Sequence, residues 1–321
     1  MQQRRLICAA TLGVLSGAAA QAQAQPAYPN KPIRIISTGG ADIVPRLLGQ
    51  RLAATLGQQV IVEERTGAGT TIGAEYVARA APDGYTLLKA VASTMIAPNF
   101  YKITYDTARD FAPVTLAVTS PWVFAVHPSL PPKSLAELVR FAKAHPGQIY
   151  FSATTPGAAS HLTMELFKQT AGINVVHVSY KTLAAAITET IGGQVQMAVN
   201  IAPTAMPHIR SGRLRGLAIS TSKRSAAAPE LPTIAESGYP GFDSAGWYGF
   251  MAPAKTPAAI ITTLNREFVN AIRQPDVRER LISNGLDPVG DSPQEFSTFV
   301  GSELEKWARV VKQANIRINA N

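Results

Sequence analysis

The residues of this chain best able to do chemistry are hydroxyls and glycines gathered in short loops, rather than acids or nucleophiles. Residues 150–167 read YFSATTPGAASHLTMELF. The apolar lead-in Ile149, Tyr150, Phe151 has strand character, and Leu162, Leu166 and Phe167 recur at helical spacing. Between them, Gly157, Ala158, Ala159 and Ser160 let a ligand approach the backbone. The helix start that follows has N–H groups without intrahelical partners and a dipole worth about half a positive charge, which attracts a carboxylate or phosphate. An ordinary strand-to-helix turn capped by Ser160 is the competing reading.

A second stretch, VIVEERTGAGTTIGAEY over 60–76, repeats the design with Gly67, Gly69 and Gly73. Those glycines loosely fit a dinucleotide-binding loop, but such a fold wants an acidic residue on a second strand about twenty residues later. Asp83 falls instead in the turn Pro82-Asp83-Gly84. A third loop, Ser37 to Asp42, follows the strand 32–36, with Asp42 expected to cap a helix bearing Ile43, Leu47, Leu48 and Leu52 on one face. No catalytic residue is expected: Ser160 and His161 are neighbours whose side chains diverge on a helix. His127, His145, His177 and His208 have no metal-ligand spacing, so neither a metal nor a cofactor is expected.

The elements that must position these loops alternate. Strands are expected at 86–90, 114–118, 122–126, 175–178, 195–200, 214–220 and 244–251, and helices at 134–144, 183–191 and 203–211. Helices at 257–273 (with Thr256 as cap), 275–284 and 292–314 close the chain. This is an α/β pattern. The closing helices lack strands of their own and are expected to pack back on the first domain. The chain then crosses twice between two domains, 26–120 with 246–321 and 121–245, with a cleft between. Ligands sit beyond the carboxyl ends of strands in such sheets, where the three loops converge. Trp247, at a crossing, could stack on a ligand or belong to the core.

Residues 1–24 read as a secretory signal: Arg4-Arg5, an apolar run from Leu6 to Ala20, and cleavage after Ala22 or Ala24. Cys8, the only cysteine, lies within it, so the 297 mature residues cannot use disulfides. Losing Arg4 and Arg5 lowers the formal charge of +9 by two. Without lysine or arginine runs, and in an exported chain, nucleic acid is excluded, and a mildly positive field suits small anions.

The chain resembles the Bug family, the extracytoplasmic solute receptors of tripartite tricarboxylate transporters. The resemblance rests on Tyr28-Pro29-Asn30-Lys31-Pro32-Ile33, Asp42 with Arg46, Arg65 to Glu75, Pro82-Asp83-Gly84-Tyr85, Phe111-Ala112-Pro113, Ser160-His161-Leu162, Tyr180-Lys181, Gly192 to Gln196, Glu236-Ser237-Gly238 and Trp247 to Pro257. It implies a two-domain periplasmic-binding-protein fold of the type II kind, with mostly parallel or mixed sheets around an interdomain cleft. It also implies a small organic carboxylate as ligand, the membrane components of the transporter as partners, and a monomer in the periplasm. Carried over by position, it places ligand contacts at Thr38, Gly39, Gly40, Gly69, Thr70, Thr71, Ser93 and Thr94. On the second domain it places them at Thr155, Gly157, Ser160, His161, Tyr180 and Asn200. The first loop is about three residues shorter than the family's usual one, Thr182 stands where a glycine is usual, and Asn200 where Asp is frequent. A periplasmic sensor feeding a two-component system shares this sequence pattern, and a secreted hydrolase would differ by showing turnover.

Overall fold

The computed structural model describes residues 28–39 and 42–316, with Ala68 by its backbone alone. The expected signal and Gly40 therefore lie outside the described residues. β1 (Ile33–Ser37) leads through the first loop to α1 (Ile43–Leu56). β2 (Val60–Glu64) leads through the second to α2 (Thr71–Ala78), and β3 (Thr86–Val91) to the short α3 (Ala92–Ile96). After the long β4 (Phe111–Val126) come α4 (Leu135–Ala144), β5 (Tyr150–Ala153), α5 (Ala159–Ala171), β6 (Val176–Ser179), α6 (Leu183–Ile191), β7 (Met197–Ile201), α7 (Ala202–Arg210) and β8 (Arg215–Ile219). β9 (Ala245–Pro253), α8 (Ala258–Arg273), α9 (Pro275–Ser283), β10 (Asp287–Pro288) and α10 (Pro293–Ala314) complete the chain.

The strands run in the order β2-β1-β3-β9-β4-β7-β5-β6, with β8 and β10 also paired to β4. The two wings are parallel: β1 lies between β2 and β3, and β5 between β6 and β7. The centre is antiparallel, where β9 joins β3 to β4 and β4 pairs with β7. The fold is thus mixed α/β.

Two strands were expected within 114–126, and the structure has one. Its first part, up to Pro121, pairs with β9, and from Trp122 it pairs with β7. Pro121 has no N–H to give a ladder, so it is tolerated where one set of partners gives way to the other. A proline that reads as a strand break is here the hand-over within a continuous strand.

Three apolar clusters hold the layers. Ile33, Ile35, Leu48, Leu52, Phe250 and Phe268 pack α1 and α8 on one face of the first wing. Phe124, Phe151, Phe167, Trp247, Phe296 and Trp307 link both wings through α5 and α10, and Met206, Leu214 and Leu231 lie under α7. Of the expected α1 stripe, Leu47, Leu48 and Leu52 are buried and Ile43 partly so. α10 opens with the Ser292/Glu295 capping box, and Ser134 accepts from Glu137 N at the start of α4. Thr256 does not cap α8: its hydroxyl donates to Pro253 O at 2.7 Å, and Pro257 stands at the cap.

Candidate functional site

The first loop is short because β1 runs on to Ser37, which pairs with Lys89 of β3. Thr38 is buried and donates through its hydroxyl to Lys89 O at 3.1 Å. Asp42 makes no side-chain cap on α1, contrary to expectation. Its Oδ1 accepts instead from Ser37 Oγ at 2.5 Å and Lys89 Nζ at 3.2 Å. Burial would raise the Asp42 pKa, but the Ser37 bond and the Lys89 charge outweigh it and hold the carboxyl below its usual range. Burial holds the Lys89 ammonium below its ordinary value, although Asp42 opposes the shift. A fully buried lysine needs such a partner.

The second loop enters α2 through Gly69 and Thr70. Thr70 has φ 87°, a left-handed conformation that costs a β-branched residue about 1–3 kcal/mol, and it gives α2 no side-chain cap. Gly73 has a structural reason rather than a nucleotide-binding one. A Cβ there would meet Thr38 Cγ2 at 2.7 Å and Arg65 O at 2.8 Å, so the glycine lets α2 press on the first loop. Ser93 opens onto the same space from α3, while Thr94 Oγ1 turns back to accept from Val91 N at 3.2 Å.

On the other wing, α5 begins after Ala158 with no side-chain cap. Ser160 is not that cap either. Its oxygen accepts from Thr154 N at 3.1 Å and lies 2.8 Å from Thr154 Oγ1. His161 Nδ1 accepts from Gly157 N at 3.1 Å, which puts the neutral ring's proton on Nε2, 3.6 Å from Glu165. Burial, then the charges of His177 and Lys168, push His161 down to about 3. A neutral imidazole bonded to its own loop, beside a serine engaged elsewhere, is no nucleophile pair.

These loops converge on a cavity of about 460 Å³. Thr38, Gly39, Thr70 and Ser93 line one wall, and Thr154, Ala158, Ala159 and Ser160 the other. The floor is the crossing of β4 and β9, with Ser120, Trp122, Gly246, Trp247 and Tyr248, and Leu183 and Ile201 close the far side. Among the described residues no Asp, Glu, Lys, Arg or His lines it. An adjoining hollow of about 170 Å³ shares Thr70, Ser93 and Ala158 and adds Gly69, Thr155 and Gly157. A larger groove of about 540 Å³ lies at the amino ends of β1 and β3, away from the three loops. Its charges pair among themselves, as Lys31 with Asp83 and Arg79 with Glu75.

Of the residues expected from the sequence, eight thus border the cavity or its hollow: Thr38, Gly39, Gly69, Thr70, Ser93, Thr155, Gly157 and Ser160. Thr71, Thr94, His161, Tyr180 and Asn200 do not line either. The Asn200 amide donates to Leu183 O at 2.8 Å and accepts from Ile201 N at 3.0 Å, so it builds the wall from behind. Sequence reasoning missed Trp122, Tyr248, Leu183 and Ile201. The available signal was the place of Trp122, Tyr248 and Ile201 at strand ends and crossings and of Leu183 at the start of α6. Trp247 is both core and wall: its ring is buried and its Nε1 donates to Glu303 at 2.9 Å. No described group of three or more His, Cys, Asp or Glu residues could hold a metal ion.

The family model described as "Tripartite tricarboxylate transporter family receptor" matches residues 44–316. Protein BugT of Bordetella pertussis is 34% identical over 99% of this chain and 100% of its own. Among solved structures, Rpa4515 of R. palustris with adipate is 32% identical, covers 90% of this chain and 99% of its own, and superposes with a TM-score of 0.76. The periplasmic binding protein BugD is 32% identical with a TM-score of 0.73 and coverages of 90% and 99%. MatC of Rhodopseudomonas palustris with bound malate is 30% identical, with a TM-score of 0.73 and coverages of 88% and 100%. With its two parallel wings, crossing strands and loop-lined cavity, this chain belongs to the tripartite tricarboxylate transporter receptor family, the family of the Bug proteins.

Proposed function

We propose that the chain is a periplasmic solute receptor that binds a small organic carboxylate in the cavity and delivers it to the membrane components of a tripartite tricarboxylate transporter. The observation that carries this reading is the pair of helix starts, α2 and α5, that face one charge-free cavity from opposite wings with no side-chain cap of their own. The N–H groups of these first turns and the hydroxyls of Thr70, Ser93 and Ser160 suit a carboxylate. Charge-assisted bonds contribute about 1.5–3 kcal/mol each, so four or five support micromolar binding after ordering costs. Relatives solved with adipate and malate support the ligand class. The neutral, internally bonded His161 argues against turnover. Residues 28–120 with 246–316 form one lobe and 121–245 the other, and closure brings both helix starts to the ligand.

Calorimetry of the purified protein against a carboxylate panel tests the reading, with native mass spectrometry to find any ligand retained. One-to-one binding of a carboxylate without turnover is expected, with a smaller scattering radius on saturation. Binding confined to cations or neutral sugars would overturn it.

A further inference from the structure

The lining of the cavity changes character from the loop end to the far side. At the loop end Thr70, Ser93 and Thr154 are partly exposed, and α2 and α5 begin there with no side-chain cap. At the far side the partly exposed side chains are Leu183 and Ile201, both packed against the core cluster that includes Phe151 and Phe167. The polar groups around these two are spent within the protein. α6 starts at Leu183, and Thr182 Oγ1 accepts from Ala185 N at 3.1 Å. α7 starts after Ile201, whose own N–H goes to Asn200 Oδ1 at 3.0 Å, and its second residue is Pro203, with no N–H to give. The Asn200 amide nitrogen donates to Leu183 O at 2.8 Å, and Ser120 Oγ on the floor donates to Gly285 O at 3.0 Å. Trp247 Nε1 is taken by Glu303, and Trp122 Nε1 is buried. Tyr248, whose ring lies 5.2 Å from Lys89 Nζ, belongs to the side of the first loop. A charged group brought to the far side therefore sheds its water against two aliphatic side chains.

We infer that the ligand is a monocarboxylate with an uncharged apolar body, and that Leu183 and Ile201 determine this preference by giving the body an aliphatic wall away from the loops that hold the carboxylate. This inference rests on the receptor reading above and names the substrate class of the same site. Hexanoate is a simple acid of that class. Adipate has the same carbon chain but carries a second carboxylate in place of the terminal methyl group. That second charge gains nothing from the aliphatic wall and loses its hydration there.

The test compares butyrate, hexanoate and adipate by calorimetry at neutral pH on the wild type and on Leu183→Asn. The wild type is expected to bind hexanoate about tenfold or more tightly than adipate. Its affinity should fall about fourfold for each methylene removed between hexanoate and butyrate. Leu183→Asn, at the partly exposed first residue of α6, should weaken hexanoate by about tenfold and leave adipate within about twofold, so that the preference collapses. Should the variant fold poorly, nuclear Overhauser contacts in the wild type between the terminal methyl group of hexanoate and the methyl groups of Leu183 and Ile201 read the same placement. Adipate bound as tightly as hexanoate, binding confined to other di- and tricarboxylates, or a hexanoate methyl without contact to either residue at saturation would overturn the inference and leave the receptor reading intact. Failure of every carboxylate of the panel to bind would overturn the receptor reading itself.

Discussion

The two walls of the cavity share one plan, a strand, a small-residue loop and a helix start, yet they conceal their polarity in opposite ways. Behind the first loop lies an ion pair: Lys89, wholly buried, against Asp42, with the Tyr248 ring 5.2 Å from the ammonium. Behind the second lie imidazoles that burial keeps from charging: His161 stacked on His177 at 4.1 Å, both held below their usual pKa. One wall cancels its charges in a pair, and the other never forms them. Either way the cavity meets a ligand with dipoles and hydroxyls rather than full charges, so fit and orientation decide what binds.

The largest test removes one half of the pair. Asp42→Ala leaves Lys89 buried without a counter-charge and should cost about 3–5 kcal/mol in urea unfolding. Lys89→Met should cost clearly less, because the stranded Asp42 side chain is 24% exposed and can hydrate. Equal losses would mean that the pair is not asymmetrically buried.

The other wall responds to pH. His161 has a folded pKa near 3 against about 6.5 unfolded, so the unfolded chain binds the proton first. Its contribution is intact above pH 6.5 and is lost as pH falls toward 3. Stability measured across that window should fall less steeply for His161→Asn, whose side-chain oxygen can still accept from Gly157 N. Parallel curves would show that His161 is not the titrating group.

Smaller effects concern the surface each wall presents. Ser160→Ala removes a hydroxyl from the cavity and should weaken carboxylate binding by about 1.5–3 kcal/mol by calorimetry. The smallest change is expected outside. Lys31→Ala in the amino-end groove breaks an exposed pair with Asp83, should cost at most about 1 kcal/mol, and should leave ligand affinity unchanged. A loss of affinity there would move the site to the larger groove.

The sequence makes the loops legible, because glycine, proline and hydroxyl residues act locally. The loops that hold Gly39, Thr70 and Ser160 could be placed from neighbours alone, while the individual contacts in them came with the family resemblance. The floor could not. Trp122 and Tyr248 reach the cavity only because β4 and β9 cross antiparallel, a pairing between residues more than a hundred apart. Asp42 misled for the same reason: a residue at a helix start reads as a cap until Lys89, 47 positions away, is brought beside it. The two strands expected at 114–118 and 122–126 are one for the same reason, because nothing local shows that a single strand changes partners at Pro121.

The position of β9 also sets an order of assembly. From β4 onward, β5, β6, β7 and β8 find their partners within about a hundred residues, so the second wing can close while synthesis continues. β3 must wait for β9, whose register pairs Leu88 with Met251, before its outer edge is covered. A chain emerging from its amino end therefore holds β1, β2 and β3 as an unfinished sheet whose β3 edge stays bare until the last quarter arrives. Such an edge is open to pairing with another chain, which makes that interval the one in which a holding chaperone has most to protect.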